Sequence, residues 1–469
     1  MTSAHHLLRV GSVAFAMGLP VAAAQAQPRT LQDALSAAYS NNPTLQAARA
    51  QLRVTDEGVP QALAGWRPTI VLSTAAGYGD GTFRSASRGI GTSSITRNNR
   101  DVFTEQATAT QPLYRGGATR AGTNQADNRV YAQRARLLAT EQQVFSDTVN
   151  AYVTVIQQQQ VLQLNINNEQ VLARQLQATQ DRFRVGEITR TDVAQAEAAL
   201  AGARATRETS EGNLQTARGN YRRYVGELPD RLVEPQPLQL PVKNQQQAVQ
   251  LASNNNPNVI AGLFDDAAAR DNIDLQFSAL MPQVSVQAQA ARADNAAVYG
   301  QRTIGAQVLL NATVPIYQGG AEYSRVRQAR QQEQQARKTV DDLRRQSVQQ
   351  ATAAWETLVA ARATIESTRS QIRANQIALE GVQREAIVGS RTTLDVLNAE
   401  QALLNSRVTL VQNLANLITA SYSLAASLGR LTARDLNLSV PLYDDTAYYN
   451  AVRGRLFGTS DYATDQPGR

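Results

Sequence analysis

The stretch PLYRGGATR (residues 112–120) occurs again, with few changes, as PIYQGGAEY (residues 315–323). The copies start at Pro112 and Pro315, so their offset is 315 minus 112, or 203 residues. Each copy joins a proline and a tyrosine to a glycine pair and directly precedes a very long segment without proline. Such a repeated junction indicates a duplicated fold if the surrounding residues repeat at the same offset.

Other landmarks repeat in the same way. Gly186 and Gly389 lie 203 residues apart, and so do Gly226 and Gly429. Upstream, SNNPTLQAA (40–48) matches NNNPNVIAG (254–262) at an offset of 214. The difference of eleven residues places one insertion between Pro68 and Pro112, in a stretch rich in Gly, Ser and Arg that we predict to be a loop.

The first residues have the features of a secretory signal peptide. An apolar run from Val10 to Ala24 leads to the small residues AQA (24–26), which suit a cleavage site. We therefore expect residues 1–26 to be removed and the mature chain to begin at Gln27, outside the cytoplasm. The chain contains no cysteine, which excludes N-terminal lipidation and agrees with an oxidising compartment.

The composition argues against most enzymes. His5 and His6, the only histidines, lie in the predicted signal peptide, so the mature chain can build neither a histidine-dependent nucleophile system nor a typical zinc site. Lys243 and Lys338, the only lysines, follow no glycine-rich loop, so a P-loop is excluded. Carboxylate-only catalysis stays open in principle. We predict no enzyme activity, no catalytic residue, no cofactor and no metal.

The formal net charge of +7 comes almost entirely from arginine. Nucleic-acid binding is one interpretation of this balance, but the arginines are spread among Glu and Asp rather than clustered with aromatic residues. Solvated helix faces explain the pattern better, and we expect no nucleic-acid partner. Aromatic residues make up only 5% of the chain, which favours extended helices over a compact core.

Each half is predicted to contain a short amphipathic helix, two strands, a long helix and a return helix. The predicted units are a first repeat at 27–228, a Pro-rich linker at 229–244, a second repeat at 245–430, and a C-terminal equatorial segment and tail at 431–469. The short helices cover about 31–60 and 245–277 and continue past an internal Asn-Asn-Pro. The other elements are strands at about 69–78, 102–111, 283–291 and 303–314, long helices at 117–185 and 320–388, and return helices at 190–225 and 392–428. The tail after Pro441 is expected to be loosely structured.

The predicted strands alternate between apolar and polar side chains. Val284, Val286 and Ala288 share one face, while Ser285 and Gln287 share the other. A half-buried sheet in a soluble protein would show this pattern, and so would a membrane barrel with an apolar outer face and a polar lumen. The exported context favours the barrel.

The number of strands sets a condition on assembly. Four strands cannot close a membrane barrel, because even small ones have eight, and an open edge is not tolerated in lipid. The chain is therefore expected to oligomerise. Glu105 falls on the face that should meet lipid, which indicates a position near the barrel rim.

The long segments have a heptad repeat. Leu358, Ile365, Ile372, Leu379 and Ala386 recur every seven residues, which predicts coiled-coil packing along a narrow seam. Any two-stranded coiled coil would show the same seam. From 320 to 388 the segment advances 68 residues, or about 100 Å at 1.5 Å per residue.

Gly186 and Gly389 end the long helices, because glycine takes the left-handed conformation that reverses the chain. Asp192 and Asp395 follow in the first turn of the return helices, where a carboxylate complements the helix dipole. Helix capping is therefore a sufficient structural reason for both aspartates.

The chain resembles the TolC family of outer-membrane channel proteins, most closely the members that serve type I secretion. The resemblance rests on the duplicated layout, on PIYQGG (315–320) and on VGSRTTLDVLNAEQALLNS (388–406), and it covers nearly the whole mature chain. It implies a mainly α fold with membrane β-strands: a homotrimer with one 12-stranded outer-membrane β-barrel, three times four strands, continued across the periplasm by an α-helical barrel. The implied function is an exit duct for secreted proteins or drugs. The implied partners are outer-membrane lipid, a periplasmic adaptor protein, and an inner-membrane ABC exporter or proton-driven pump.

The resemblance also implies a gate at the periplasmic tip, held shut by links between neighbouring copies. Arg391 matches the arginine that bonds across to the neighbour, and Thr191 and Asp192 match its acceptors. Asp395 matches the first of two aspartates that ring the aperture.

This sequence departs from the family at two gate positions. Asn398 stands where the second aspartate is usual, and Ala386 where a bonding tyrosine is usual. A single ring of three carboxylates implies weaker cation binding, and fewer links imply a closed state that is held less tightly.

A periplasmic coiled-coil adaptor or tether without a barrel is the alternative function. It needs no alternating strands, so outer-membrane residence and a detergent-stable trimer distinguish the two. The missing cysteine argues against a lipid-modified drug-efflux channel. The residues leave open whether the cargo is protein or small molecule.

Overall fold

The structure is a computed structural model that describes residues 30–86, 93–297 and 299–460. The predicted signal peptide and the last residues of the tail, 461–469, lie outside the described residues. In chain order the described elements are α1 (Leu31–Asn41), α2 (Pro43–Asp56), α3 (Gly58–Leu63), β1 (Thr69–Ala86), β2 (Ser93–Arg115), α4 (Ala118–Arg184), α5 (Arg190–Val225), α6 (Gln245–Asn255), α7 (Pro257–Phe277), β3 (Gln283–Asp294), β4 (Arg302–Thr313), α8 (Ala321–Ile387), α9 (Thr393–Ser427) and α10 (Ala447–Arg453). The mainly α fold with a small sheet, built from two halves of the same order, agrees with the fold class predicted from the sequence.

The short helices of each half are broken, contrary to the prediction that they continue past Asn-Asn-Pro. Asn42 separates α1 from α2, and its side chain accepts a hydrogen bond from Thr44 N at 2.9 Å. Asn256 separates α6 from α7 in the same way. The break occurs because the residue before a proline avoids the α conformation, while proline itself suits the first helical position and asparagine the N-cap.

The long helices α4 and α8 each contain 67 residues, and each begins one residue after and ends one residue before the predicted bounds. Each begins after the second glycine of the repeated junction, because Gly117 and Gly320 have φ angles of 90° and 82°. Leu358, Ile365 and Leu379 of the heptad repeat are buried. The apolar seam thus faces the neighbouring helices.

The four strands form one antiparallel sheet in the order β1-β2-β3-β4. The first-half strands are longer than predicted, 18 and 23 residues, and pair continuously from Thr69 with Thr110 to Ala86 with Ser93. Most of the eleven-residue insertion is therefore strand rather than loop. The sequence does not indicate the extra length of these strands, because backbone hydrogen bonds can extend a hairpin whose side chains do not alternate between apolar and polar.

The register brings the apolar side chains of the sheet onto one face. Val286 lies opposite Leu310, and Ala288 opposite Val308. Glu105 shares this face and lies opposite Arg292, near the end of β3 that is remote from the helices, whereas β2 continues beyond Glu105 to Ser93. Arg292 in turn forms an ion pair with Asp294 at 2.7 Å. Charged residues thus follow the apolar band where β3 ends.

The helices pack side by side in an order that matches the sheet. Near the sheet, α7 packs between α4 and α8; toward the opposite end, α9 packs between the same two helices. Helix α5 packs along α4, and α2 lies against α4 near the sheet. In the described parts of the chain, no helix combines the length and the apolar character that a membrane crossing requires.

The main core lies where short and long helices meet. Tyr152, Tyr221 and Phe145 are among its fully buried side chains. The linker at 229–244 is attached to this core, since Tyr152 Oη donates to Val233 O at 2.7 Å.

The C-terminal segment is ordered, against the expectation of a loose tail. Tyr443 N donates to Tyr39 Oη at 3.0 Å, and Tyr449 Oη donates to Asp127 Oδ1 at 2.7 Å. Helix α10 therefore holds the described part of the tail against α2 and α4.

Candidate functional site

The two long hairpins end in similar turns, which we name the first tip turn (residues 182–192) and the second tip turn (residues 385–395). Gly186 and Gly389 both have φ of 78°, in the left-handed region. Glu187 N donates to Arg182 O at 3.0 Å, and Ser390 N donates to Glu385 O at 3.0 Å. These bonds satisfy carbonyls at the helix ends and reverse the chain.

Asp192 and Asp395 belong to the capping boxes of the helices that follow the tip turns, in which Thr189 and Thr392 are the N-cap residues. Asp192 Oδ2 accepts from Thr189 N and Oγ1 at 3.0 and 2.7 Å. Asp395 Oδ2 accepts from Thr392 N and Oγ1 at 3.0 and 2.9 Å. Backbone and side-chain hydrogen bonds from Thr392 lower the pKa of Asp395. Each carboxylate is thus oriented, with one oxygen engaged in the capping box.

Arg391 pairs with a residue of its own chain. Its Nε lies 2.8 Å from Glu385 Oε2. Among the described residues, Arg391 forms this ion pair and does not contact Asp192 or Thr191.

The remaining residues predicted to form the gate lie on the surface of the tips. Thr191 and Asn398 are exposed on α5 and α9. Val185, Ile387 and Val388 are each 78% exposed beside the turns. The tips therefore present both charge and apolar surface.

A large groove lies between α4, α8 and α9, with a volume of about 960 Å³. Every residue that lines it is Ala, Ser, Thr, Asn or Gln; examples are Gln142, Asn258, Gln350, Asn416 and Ser423. The groove thus offers amide and hydroxyl groups without charge, in contrast to the tips. Sequence reasoning missed it, because the lining residues come from both halves of the chain.

The groove lies on the face opposite the linker. Leu238 N of the linker donates to Ser421 Oγ on α9, whereas Ser423, two residues on and about 200° around the helix, lines the groove. Tyr152 contacts the linker from α4, and Gln143, nine residues earlier and about half a turn away, lines the groove.

The polar face of the sheet is also uncharged along β3 and β4. Gln307 Nε2 donates to Gln289 Oε1 at 3.1 Å, and Asn311 Nδ2 donates to Gln287 Oε1 at 3.0 Å. Leu309 is an apolar exception on this face. Groove and sheet therefore offer the same neutral amide chemistry.

Two buried carboxylates under the C-terminal segment were also missed. Asp56 is fully buried, and neither carboxylate oxygen has a hydrogen-bond partner among the described residues. Burial raises its pKa to about 7. Glu141 accepts from Ala433 N at 2.7 Å, and burial raises its pKa as well. A signal for Asp56 exists in the sequence, since it follows Leu45 and Leu52 at the spacing of one helix face.

No group of acidic residues in the described ranges could hold a metal ion.

Comparison with known proteins agrees with this architecture. Residues 34–227 and 248–430 match the family described as outer membrane efflux protein. The outer membrane efflux protein BepC of Brucella suis is 36% identical over 430 residues, which cover 92% of this chain and 91% of BepC. The outer membrane protein TolC of Escherichia coli is 24% identical over 433 residues, 87% of this chain and 84% of TolC.

A solved structure has a similar fold. The outer membrane protein VceC of Vibrio cholerae superposes with a TM-score of 0.71 at 20% identity, covering 85% of this chain and 96% of VceC. The separate matches of residues 34–227 and 248–430 correspond to the two repeats found from the offset of 203.

Proposed function

The chain belongs to the outer membrane efflux protein family, and we propose that three copies of it assemble into one closed exit duct. The duct lies in the outer membrane, extends into the periplasm and carries substrates out of the cell as part of a tripartite export system. In this proposal the chain performs no chemistry of its own.

The unfinished sheet is the observation that carries the proposal. β1 and β4 are its edges, and the apolar face is exposed, with Ile70 at 78%, Val308 at 71% and Leu310 at 69%. An open edge and an exposed apolar face are both unfavourable in a lone chain. Pairing of β4 with β1 of the next copy removes the edges, and three copies supply three times four strands, enough for a barrel.

The helices support the same closure. Because α2, α4, α7 and α8 lie side by side in the order of the four strands, a ring of sheets is also a ring of helices. The linker then lies outside the ring and the neutral groove faces the lumen. The 67 residues of α8 span about 100 Å, enough to carry the passage far into the periplasm.

The partners follow from the proposed duct. A periplasmic adaptor protein joins it at the tip turns to an inner-membrane ABC exporter or proton-driven pump. We infer that Arg391 bonds to Asp192 and Thr191 of the neighbouring copy in the closed state. Asp395 contributes one carboxylate per copy to a ring, and Asn398 adds none.

The adaptor or tether without a barrel is less well supported. Such a protein would not need four strands with an exposed apolar face. An additional partner would have to bury that face from water.

Fractionation of the native cell, followed by electrophoresis with and without heating, tests the proposal. We expect the mature chain in the outer membrane as a detergent-stable trimer that dissociates on heating, and a discrete conductance after insertion into a planar bilayer. A stable single subunit in aqueous buffer, without membrane residence, would overturn it.

A further inference from the structure

Two hydrogen bonds cross the helical hairpins at equivalent positions. In the first hairpin, Asn165 Nδ2 of α4 donates to Ser210 Oγ of α5 at 2.7 Å. In the second, Asn413 Nδ2 of α9 donates to Thr368 Oγ1 of α8 at 3.0 Å. The positions correspond, since 165 plus 203 is 368 and 210 plus 203 is 413. The amide is thus on the long helix in the first hairpin and on the return helix in the second, while the position of the bridge along the hairpin is the same.

The first bridge lies in a buried seam. Asn165 and Ser210 are only 4% and 5% exposed. Seven residues closer to the tip, Leu172 packs with Leu200 and Ala203 in a purely apolar layer. Apolar layers that repeat every seven residues pack almost equally well if one helix slides by a heptad. A buried amide resists the slide, because it must keep a partner.

A slide of one heptad would remove that partner. It would bring Asn165 opposite Ala203 or Ala217, seven residues on either side of Ser210, and neither side chain can accept a hydrogen bond. The two helices would also be displaced by about 10 Å, at 1.5 Å per residue. The bridge therefore distinguishes one register from its neighbours, which the apolar layers do not.

We propose that these two bridges are register pins, which hold both hairpins at one axial level so that the tip turns meet when the duct is closed. The consequence for the aperture rests on the proposed function, whereas the register belongs to each chain. The exchange between the halves implies that a pin needs one amide and one hydroxyl, whichever helix carries each.

Exchanging the first pair tests the proposal. Asn165→Ser leaves two short hydroxyl side chains, and adding Ser210→Asn rebuilds the arrangement of the second hairpin. Asn167→Ser is the matched control, because it makes the same substitution at an exposed position two residues away.

The register can be read in each variant by a distance. Since the chain has no cysteine, Ala178→Cys and Ala198→Cys, both at exposed positions between the pin and the tip turn, give two unique spin-label sites. Pulsed electron paramagnetic resonance on the detergent-solubilised full chain then reports the offset of α4 and α5. Planar-bilayer conductance of the same variants reports the aperture.

We expect Asn165→Ser to increase a second, shifted distance population about tenfold, as the loss of one buried hydrogen bond predicts, and to raise the closed-state conductance. The exchanged double variant should return both to wild type, and Asn167→Ser should change neither. A wild-type distance in Asn165→Ser overturns the proposal, and so does a double variant as perturbed as the single one. If the distances change as expected while no form of the protein conducts, the pins are supported and the proposed duct is contradicted.

Discussion

Arg391 Nε lies 2.8 Å from Glu385 Oε2 within the second tip turn. The first tip turn contains a similar ion pair, Arg182 with Glu187 at 2.8 Å. Here the residue of the long helix is the arginine, whereas in the second tip turn it is the glutamate. Positions 182 and 385 are equivalent at the offset of 203, so the two kinds of tip carry opposite charge there. Exposed ion pairs of this kind contribute little to stability, so Arg391 can exchange its own glutamate for an acceptor on a neighbouring copy.

Arg391→Ser should make the closed duct leak. If Arg391 links neighbouring copies, its loss removes one charge-assisted hydrogen bond per copy, each worth about 1.5 to 3 kcal/mol. We expect a higher closed-state conductance in planar bilayers with no change in trimer yield. A wild-type current in Arg391→Ser would exclude this residue from the gate.

Glu385→Gln should not leak. The substitution releases Arg391 from its own helix and leaves it free for the neighbour, so the closed-state conductance should stay equal or fall. If Glu385→Gln leaks as strongly as Arg391→Ser, the bond within the chain is the restraint, and the proposed link between copies is wrong.

Gln350→Glu should make the duct more selective for cations. Gln350 lines the neutral groove, so three copies would place a ring of three negative charges in the lumen. The reversal potential in a salt gradient should shift near 0.1 M salt and much less near 1 M, because the screening length falls from about 10 to about 3 Å.

Gln239→Glu is the control for this ring of charge. It makes the same substitution at an exposed position of the linker, beside Leu238, on the face opposite the groove. An equal shift in both variants, or none in Gln350→Glu, would contradict the lumenal position of the groove.

Asp56→Asn should stabilise the protein at neutral and alkaline pH. The pKa of Asp56 in the folded chain is about 7, above its usual 3.8, so the folded state prefers the protonated acid. The contribution of the protonated Asp56 to the free energy of unfolding is fully present below about pH 4 and is lost as the pH rises through about 7. Asparagine stays neutral, so we expect the variant to gain about 2 to 4 kcal/mol at pH 8 and nothing at pH 4.

Thermal unfolding followed by circular dichroism between pH 4 and pH 8 measures this effect. Asp230→Asn, at an exposed position of the linker, is the control and should follow the wild-type curve. A parallel pH dependence in Asp56→Asn and wild type would show that Asp56 is not the group responsible.

Gly429→Ala should cost more stability than Gly226→Ala. Both glycines have positive φ, 74° and 98°, so both substitutions carry backbone strain of about 1 to 2 kcal/mol. A Cβ atom at Gly429 would also lie 2.4 Å from Asn255 O, whereas at Gly226 no atom of the described residues lies within 4 Å. This clash should add about 1 to 3 kcal/mol, measured as a lower midpoint of thermal unfolding. Equal losses at the two equivalent positions would argue against the close contact between Gly429 and Asn255.

The sequence predicts the large elements because their signals are local and repeated. The glycine pair at Gly116 and Gly117, the heptad seam and the offset of 203 together determine the long helices and the duplication. The breaks at Asn42 and Asn256 could also have been predicted, since the asparagine and proline that cause them are adjacent.

The other differences depend on contacts between distant segments. The extension of β1 and β2 arises from pairing of two strands whose side chains show no alternating pattern. The order in the C-terminal segment depends on Tyr39 and Asp127, which lie hundreds of residues earlier. The neutral groove is assembled from α4, α8 and α9, so no single stretch of sequence contains it.

The mass of the native assembly tests the central claim most directly. Native mass spectrometry of the full-length protein, extracted from the outer membrane in detergent, should give three times the mass of the mature chain, as closure of β4 onto β1 of the next copy requires. A predominant mass of one chain that stays dissolved after the detergent is removed would contradict the account.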